Sequence, residues 1–202
     1  MYAFFLVALS QAISATNIRP DCKNFSADLA QMASSDQAVR STWDLDELAT
    51  ARKTPRFLNL TEIVDRENTR RLKGLLSACG WPARPVHSDA DVDNAWLITQ
   101  HADRDATLQK HAVGLIERAI AKGDTQQRQQ LAFLVDRVAV SEGKQQKYGT
   151  QLAVHGKCNL QFQPYDSLEA VNARRAAIGW PSLDVYKKMI DEHNNCPAAG
   201  EK

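Results

Sequence analysis

The stretch from Thr61 to Cys79, TEIVDRENTRRLKGLLSAC, carries the clearest periodicity in the chain. Side chains at intervals of three and four fall on one face of a helix, and along this stretch most of them are apolar. They are Val64, Asn68, Leu72, Leu75, Leu76 and Cys79. Gly80 and Pro82 follow in the order expected at a helix C-terminus. The stretch therefore predicts a long amphipathic helix.

Other segments on both sides of it also predict helices. They are about 26–34, 89–102, 106–122, 125–141, a helix that ends near Ala177 and a last helix that ends near His193. The helix at 125–141 is apolar over most of its circumference from Leu131 onward, which indicates a central position. Residues 35–59 have no sustained period, so we expect irregular structure there, packed on the surface of the core.

The period changes to two beyond Gly143. Leu152 and Val154 alternate with polar neighbours, as do Leu160 and Phe162, and a turn at His155-Gly156 separates the two runs. This pattern predicts a β-hairpin. The expected fold class is therefore mainly α, a compact helical domain with one small β-hairpin, formed by residues 16–202 as a single domain.

Length and charge exclude some classes of protein. The chain has 202 residues, and 44% of them are hydrophobic, which is incompatible with wholesale disorder. Its 25 basic and 24 acidic residues give a net charge of +1, so no electrostatic argument favours nucleic acid as a partner.

The first fifteen residues have the apolar character of a secretory signal peptide, with small residues for cleavage near Ala12 or Ala15. They are too few to form a stable transmembrane helix. No Lys or Arg precedes Arg19, so the usual basic start of a signal is missing. The alternative is a buried N-terminal helix.

The cysteines support export. Cys22, Cys79, Cys158 and Cys196 are an even number and too widely spaced for a redox or zinc motif. In an oxidising compartment they would form two disulfides, with three possible pairings. We therefore expect a secreted or periplasmic protein. If the signal assignment fails, four unrelated buried thiols are the alternative.

Polar residues interrupt sequence that otherwise predicts buried core. Gln100-His101-Ala102-Asp103 follows the apolar Ala95-Trp96-Leu97-Ile98, and Asp136-Arg137 interrupts the apolar run from Leu131 to Val140. Burying polar groups is costly unless they are paired. Either a buried polar network that fixes helix register or a cleft lined by the same groups explains them.

The cleft hypothesis gives these residues roles. His101 or Glu142 would be the general acid or base, positioned by Asp136. Glu142 stands between a helix and the hairpin, where lysozyme-like glycosidases carry their general acid, which requires a raised pKa. The expected binding residues are Asp103, Arg137, Lys144, Tyr148 and Gln151. Asp103 or Asp105 also suits the N-cap of the next helix.

The leading hypothesis is thus an envelope hydrolase with a His/Asp/Glu cleft. The alternative is a non-catalytic binding or inhibitor module in which the same residues form a structural network. We expect no cofactor and no metal, because the chain has neither a Gly-rich phosphate loop nor paired-His spacing. The partner would be a small molecule, a glycan or a protein.

The order of these motifs resembles a bacterial family of unknown function. The shared features are Gly-Trp-Pro after a helix, then the residues 95–103, 136–138, 143–151 and 174–179, and finally Tyr186. The resemblance covers about residues 61–190. The chain departs from the pattern at Asn172, where Asp is expected, and at Trp180, where Leu is expected. It implies a shared mainly helical domain and no known reaction.

Overall fold

The computed structural model of the chain describes residues 21–50 and 56–197, which are mainly helical. The α-helices in these residues are α1 Phe25–Arg40, α2 Leu45–Thr50, α3 Arg56–Cys79, α4 Asp89–Gln100, α5 Ala106–Ala121, α6 Arg128–Ser141, α7 Leu168–Ala177 and α8 Leu183–His193. Strands β1 Leu152–Val154 and β2 Leu160–Phe162 pair antiparallel, with Leu152 opposite Phe162. The predicted fold class is confirmed. The predicted signal segment, 1–15, lies outside the described residues.

The main core forms where α1 packs on α3 and α4. Its fully buried side chains include Leu29 and Met32 from α1, Leu72 from α3 and Ala95 and Ile98 from α4. The apolar face of the long helix predicted from residue 61 thus has the buried environment that its period indicated. Burial of such side chains stabilises the fold by about 1.5–3 kcal/mol each.

A second core lies between α5 and α6. Ala112 and Ile116 from α5 and Leu134 from α6 are fully buried in it. Trp81, next to the Gly80 that follows α3, packs against both cores. Its indole N–H donates to Oε1 of the buried Gln127 at 2.9 Å, which satisfies both polar groups.

The prediction of irregular structure at 35–59 is wrong in three places. Helix α1 continues to Arg40, α2 occupies Leu45–Thr50, and α3 begins at Arg56 rather than near Thr61. The reason is that the inward face of α1 ends in a charge. Asp36 is completely buried and pairs with Arg40 one turn later, so the apolar period stops before the helix does.

Two disulfides link the two ends of the described chain to other parts of the fold. Cys22–Cys79 joins the segment just before α1 to the end of α3, and Cys158–Cys196 joins the hairpin to the segment after α8. The predicted pair of disulfides is confirmed, and the alternative of four separate thiols is wrong. Disulfides of this kind are typical of proteins that fold in an oxidising compartment. Within 21–50 and 56–197, no helix is both long enough and apolar enough to cross a bilayer.

Candidate functional site

His101 lies at the C-terminal cap of α4, and its side chain reaches α1. Its Nδ1 is 2.8 Å from Oδ1 and 3.0 Å from Oδ2 of Asp36. The Asp36 carboxylate is buried, with 1% of its side chain exposed, whereas 18% of the His101 side chain is exposed. The buried carboxylate therefore fixes the orientation of an imidazole that remains reachable from outside.

Arg40 connects this pair to a second carboxylate. Its Nη1 donates to Oδ1 of Asp36 at 2.7 Å, and its Nη2 donates to Oδ2 of Asp65 at 2.9 Å. The other oxygen of Asp65, Oδ1, is buried and has no hydrogen-bond partner in the described part of the chain. Burial raises the pKa of Asp65, and this effect outweighs the lowering by Arg40. Asp36 and Arg40 on α1, Asp65 on α3 and His101 at the cap of α4 thus form a continuous chain of polar groups.

A cleft of about 780 Å³ opens beside this chain of groups. Its lining includes a face of α3 that contains Asp65 and the α4–α5 connection, which begins at His101. Trp43, after α1, also lines the cleft, and its indole N–H donates to Oγ1 of Thr61 at 3.0 Å. Because Asp36 occupies Nδ1 of His101, Nε2 is the ring nitrogen left for a ligand in the cleft.

Comparison with protein families gives a match over residues 23–196, to the family described as Family of unknown function (DUF6624). The chain belongs to this family. The match extends on both sides of the expected core, 61–190. Searches of curated proteins and of solved structures return no match.

In this member of DUF6624, only two of the predicted site residues, His101 and Asp103, line the cleft. Asp103 does not cap α5, because its Oδ1 accepts instead from Nη1 of Arg137 at 2.7 Å. The N-cap is Asp105, whose Oδ1 accepts from the backbone N–H of Leu108 at 2.9 Å. Of the two aspartates proposed for that cap, Asp105 is the correct one. Arg137 reaches the edge of the cleft through Asp103.

Asp136 is completely buried, and protein donors fill both of its oxygens. Oδ1 accepts from the backbone N–H of Lys147 at 2.7 Å and from that of Tyr148 at 3.1 Å. Oδ2 accepts from the N–H and the hydroxyl of Thr150. Burial raises the pKa of Asp136, and these hydrogen bonds oppose the rise. Asp136 therefore holds the turn before the hairpin, and no oxygen is left for a substrate.

Tyr148 and Gln151 belong to the same turn. The ring of Tyr148 packs edge-to-face on Trp180, with 6.4 Å between ring centroids, and its carbonyl accepts from Arg175. The side-chain amide of Gln151 donates to Oγ1 of Thr150 at 2.9 Å. Neither residue lines the cleft. The predicted binding residues of this segment thus form a structural network around Asp136.

Glu142 lies at the end of α6, where it forms ion pairs with Lys110 and Lys144. Hydrogen bonds from these two lysines lower the pKa of Glu142 from 4.5 to about 2. A general acid needs a raised pKa, so that it carries a proton near neutral pH. The environment of Glu142 does the opposite. Neither Glu142 nor Lys144 lines the cleft.

The sequence analysis did not assign Asp36, Arg40 or Asp65 to the site. Asp36 and Arg40 are one turn apart, which is the spacing of an intrahelical ion pair. This spacing could have identified Asp36 and Arg40 as a pair. Both residues lie in the segment 35–59, which was predicted to be irregular, and i,i+4 spacing indicates a contact only within a helix.

Proposed function

We propose that this protein is a secreted or periplasmic hydrolase in which His101 is the general base. One observation carries the proposal: Nδ1 of His101 bonds the buried carboxylate of Asp36 at the wall of a 780 Å³ cleft. A carboxylate at Nδ1 keeps the proton on that nitrogen and leaves the lone pair of Nε2 free to accept another. The two disulfides support the compartment.

The reaction begins when a water molecule in the cleft gives a proton to Nε2 of His101 and attacks the substrate. The Asp36 carboxylate stabilises the resulting imidazolium, as in other aspartate–histidine pairs. Burial of Asp36 strengthens that interaction, because water screens it less. General-base assistance of this kind accelerates a reaction by roughly 100- to 10,000-fold.

His101 also supplies the proton for the leaving group. The imidazolium that forms when water is deprotonated gives its proton to the leaving group, and His101 returns to its neutral form for the next turnover. Asp65 supports this pair from behind: it binds Nη2 of Arg40, whose Nη1 donates to Asp36.

The second candidate is a non-catalytic binding or inhibitor module. The observation that favours it is that the His101–Asp36 bond also joins α4 to α1, as a pair that fixes helix register would. Protein donors also occupy both oxygens of Asp136, as expected for a residue of a structural network. Both candidates use the same residues, so the decisive measurement must separate chemistry from stability.

The His101→Asn variant makes this separation. Its amide nitrogen occupies nearly the position of Nδ1 and still donates to Asp36, while the base at Nε2 is lost. The substrate would first be found by screening the protein that comprises residues 16–202 for hydrolysis of chromogenic esters, phosphoesters, amides and peptidoglycan. For a hydrolase, His101→Asn lowers kcat/KM on the substrate found by about 100-fold or more and leaves the urea midpoint nearly unchanged.

The matched control is His111→Asn, because His111 is exposed on α5 and does not line the cleft. It should keep full activity. If no substrate class shows His101-dependent turnover, or if His101→Asn unfolds at much lower urea with unchanged turnover, the hydrolase proposal fails and the binding module replaces it.

A further inference from the structure

Trp43 is the largest apolar side chain that lines the cleft. It follows α1, and 38% of its surface is exposed. An indole carries a large apolar surface, and removing that surface from water is favourable. A ligand that covers the exposed part of Trp43 therefore gains free energy from its burial.

The Trp43 side chain is held in one orientation. Its indole N–H donates to Oγ1 of Thr61 at 3.0 Å, and its ring packs on the buried Phe57 with 6.2 Å between ring centroids. The guanidinium carbon of Arg40 lies 5.7 Å from the ring centroid, and the backbone N–H of Trp43 donates to the carbonyl of Arg40 at 3.1 Å. Because these contacts already order the indole, a ligand that packs on it loses little free energy in fixing it.

The polar groups beside the indole bond each other. The Thr61 hydroxyl accepts from the indole N–H and donates to the carbonyl of Phe57 at 2.8 Å, so neither donor is left for a ligand. Leu58, three residues before Thr61 on α3, and Ala102 add apolar groups to the lining. A hydroxylated group would lose hydration here without gaining these donors, whereas an apolar group would not.

The charged groups of the cleft are also largely satisfied. Each of its four carboxylates forms an ion pair at 2.7–2.9 Å, in the pairs Glu62–Arg104, Asp65–Arg40, Asp103–Arg137 and Asp105–Lys73. Arg40, the cation that contacts the indole, binds two carboxylates, Asp36 and Asp65. Arg66 forms no ion pair with the described residues, but it lies about 7.5 Å further along α3 than Thr61. The described part of the cleft at Trp43 therefore favours an uncharged group.

We propose that Trp43 determines the specificity of the hydrolase by binding an uncharged aromatic acyl group. The aromatic ring packs on the indole, since aromatic pairs are more favourable than their buried area alone implies. Arg40 connects this place to the base, because it contacts the indole and donates to Asp36, which bonds His101. Water adds to the acyl carbon, and the alcohol or amine leaves with the proton that His101 took from the water. The inference rests on the proposed function for the reaction and adds the substrate class, a carboxylic ester or amide of an arylalkanoic acid.

NMR titration with benzylacetone tests the aromatic site without turnover. This ketone carries a phenyl ring and a carbonyl group and has no bond to hydrolyse. The controls are butanone, which lacks the ring, and benzylacetone with a carboxylate at the para position of the ring. Benzylacetone should bind about tenfold or more tightly than either control, because only it buries an uncharged ring.

The same spectra locate the ligand. The chain has four tryptophans, and the indole N–H signal of Trp43 is the one that is missing from the spectrum of Trp43→Phe. Benzylacetone should shift this signal in the wild-type protein. Equal affinities for the three ketones, or binding that leaves the Trp43 signal in place, would overturn the proposal.

Two substitutions at Trp43 separate its role in binding from its role in the fold. Trp43→Phe keeps an aromatic ring and should keep the benzylacetone affinity within about threefold, whereas Trp43→Ala should weaken it about tenfold. Leu60→Ala is the control, because Leu60 is 47% exposed on α3 and does not line the cleft. It should leave the affinity unchanged. Urea midpoints show whether each variant is folded, and the comparison of the three ketones needs no variant.

The two proposals fail separately. His101→Asn should keep the benzylacetone affinity and abolish hydrolysis of ethyl hydrocinnamate. If turnover depends on His101 but ethyl acetate is hydrolysed as fast as ethyl hydrocinnamate, the specificity inference falls and the hydrolase stands. If benzylacetone binds at Trp43 but no ester or amide is hydrolysed, the hydrolase falls and the aromatic site stands.

Discussion

Oδ2 of Asp136 accepts hydrogen bonds from both the backbone N–H and the hydroxyl of Thr150, at 3.0 and 3.1 Å. Fourteen residues separate the two, so one carboxylate joins α6 to the turn that precedes β1. Buried N–H groups without an acceptor are costly. These hydrogen bonds are therefore sufficient to explain why the apolar helix α6 contains a buried aspartate.

Asp136→Asn should therefore destabilise the protein. The amide nitrogen that replaces one carboxylate oxygen is itself a donor, so it faces N–H groups that lose their acceptor. We expect the free energy of unfolding in urea to fall by about 2–4 kcal/mol. Glu192→Gln, an exposed substitution on α8, should change it by less than about 0.5 kcal/mol. A loss as small as that of the control would show that Asp136 does not hold the turn.

Gly149 and Gly143 provide a second, matched test of the same turn. Both have a left-handed backbone, with φ of 66° and 68°. A Cβ on Gly149 would lie 2.7 Å from Cδ1 of Leu183, whereas a Cβ on Gly143 would meet no atom of the described residues within 4 Å. Gly143→Ala should cost about 1–2 kcal/mol for its backbone alone. Gly149→Ala should cost about 1–3 kcal/mol more, because it also overpacks the contact with α8.

The measurement is urea unfolding of the two alanine variants side by side. Leu183 is buried, so Leu183→Ala is destabilising by itself, but in the Leu183→Ala background the cost of Gly149→Ala should fall to that of Gly143→Ala. Equal destabilisation by the two glycine substitutions would contradict the close approach of this turn to α8.

The helices with a regular apolar face were predictable from sequence, and the ends of the helices with buried charges were not. The period of α3 indicates its buried face because Leu72 and Leu75 pack in the main core. At Asp36 the same logic fails, because a buried carboxylate is tolerated only through partners elsewhere in the chain. One of these partners, His101, is 65 residues away. No spacing rule in the sequence connects two such residues.

The candidate site was also predictable only in part. His101 was predicted as a site residue because it extends an apolar segment, and it lines the cleft. Asp136 was predicted because it interrupts an apolar run, and Glu142 because it stands between a helix and the hairpin. The structure places them in separate environments, a buried turn and a pair of lysines. Sequence identifies polar groups that need partners. Only the packing of the helices decides whether those partners are protein donors or a ligand.

Glu142 should show the pH dependence of an ion-paired surface carboxylate. Hydrogen bonds from Lys110 and Lys144 lower its folded pKa from 4.5 to about 2. A group with a lowered folded pKa stabilises the fold above its unfolded pKa, and that contribution is lost as the pH falls from about 4.5 to about 2. Glu142→Gln should therefore reduce the urea midpoint slightly near pH 7 at low salt, and the difference should shrink with acid or with added salt.

A direct check is NMR titration of the Glu142 side-chain carboxyl. We expect a midpoint near 2. A midpoint above 4.5 would contradict the lysine pairing and would return Glu142 to the list of candidate general acids.

The two disulfides should contribute unequally to stability. Cys22–Cys79 closes the longer loop, with a sequence separation of 57 against 38 for Cys158–Cys196, and Cys79 packs against the main core. In the loop-entropy account, each cross-link contributes about 4 kcal/mol, and the longer loop contributes a few tenths more. Replacement of Cys22 and Cys79 by Ser also places hydroxyl groups beside apolar side chains, which adds to the loss.

We therefore expect the Cys22→Ser/Cys79→Ser variant to lose more free energy of unfolding than the Cys158→Ser/Cys196→Ser variant, in urea without reductant. Addition of reductant should bring the wild type close to the level of the variant that lacks all four cysteines. The opposite ranking would mean that the link between the hairpin and the segment after α8 is the more important constraint. In that case the hairpin, rather than the junction of α1 with α3, would be the part of the fold that depends most on an oxidising compartment.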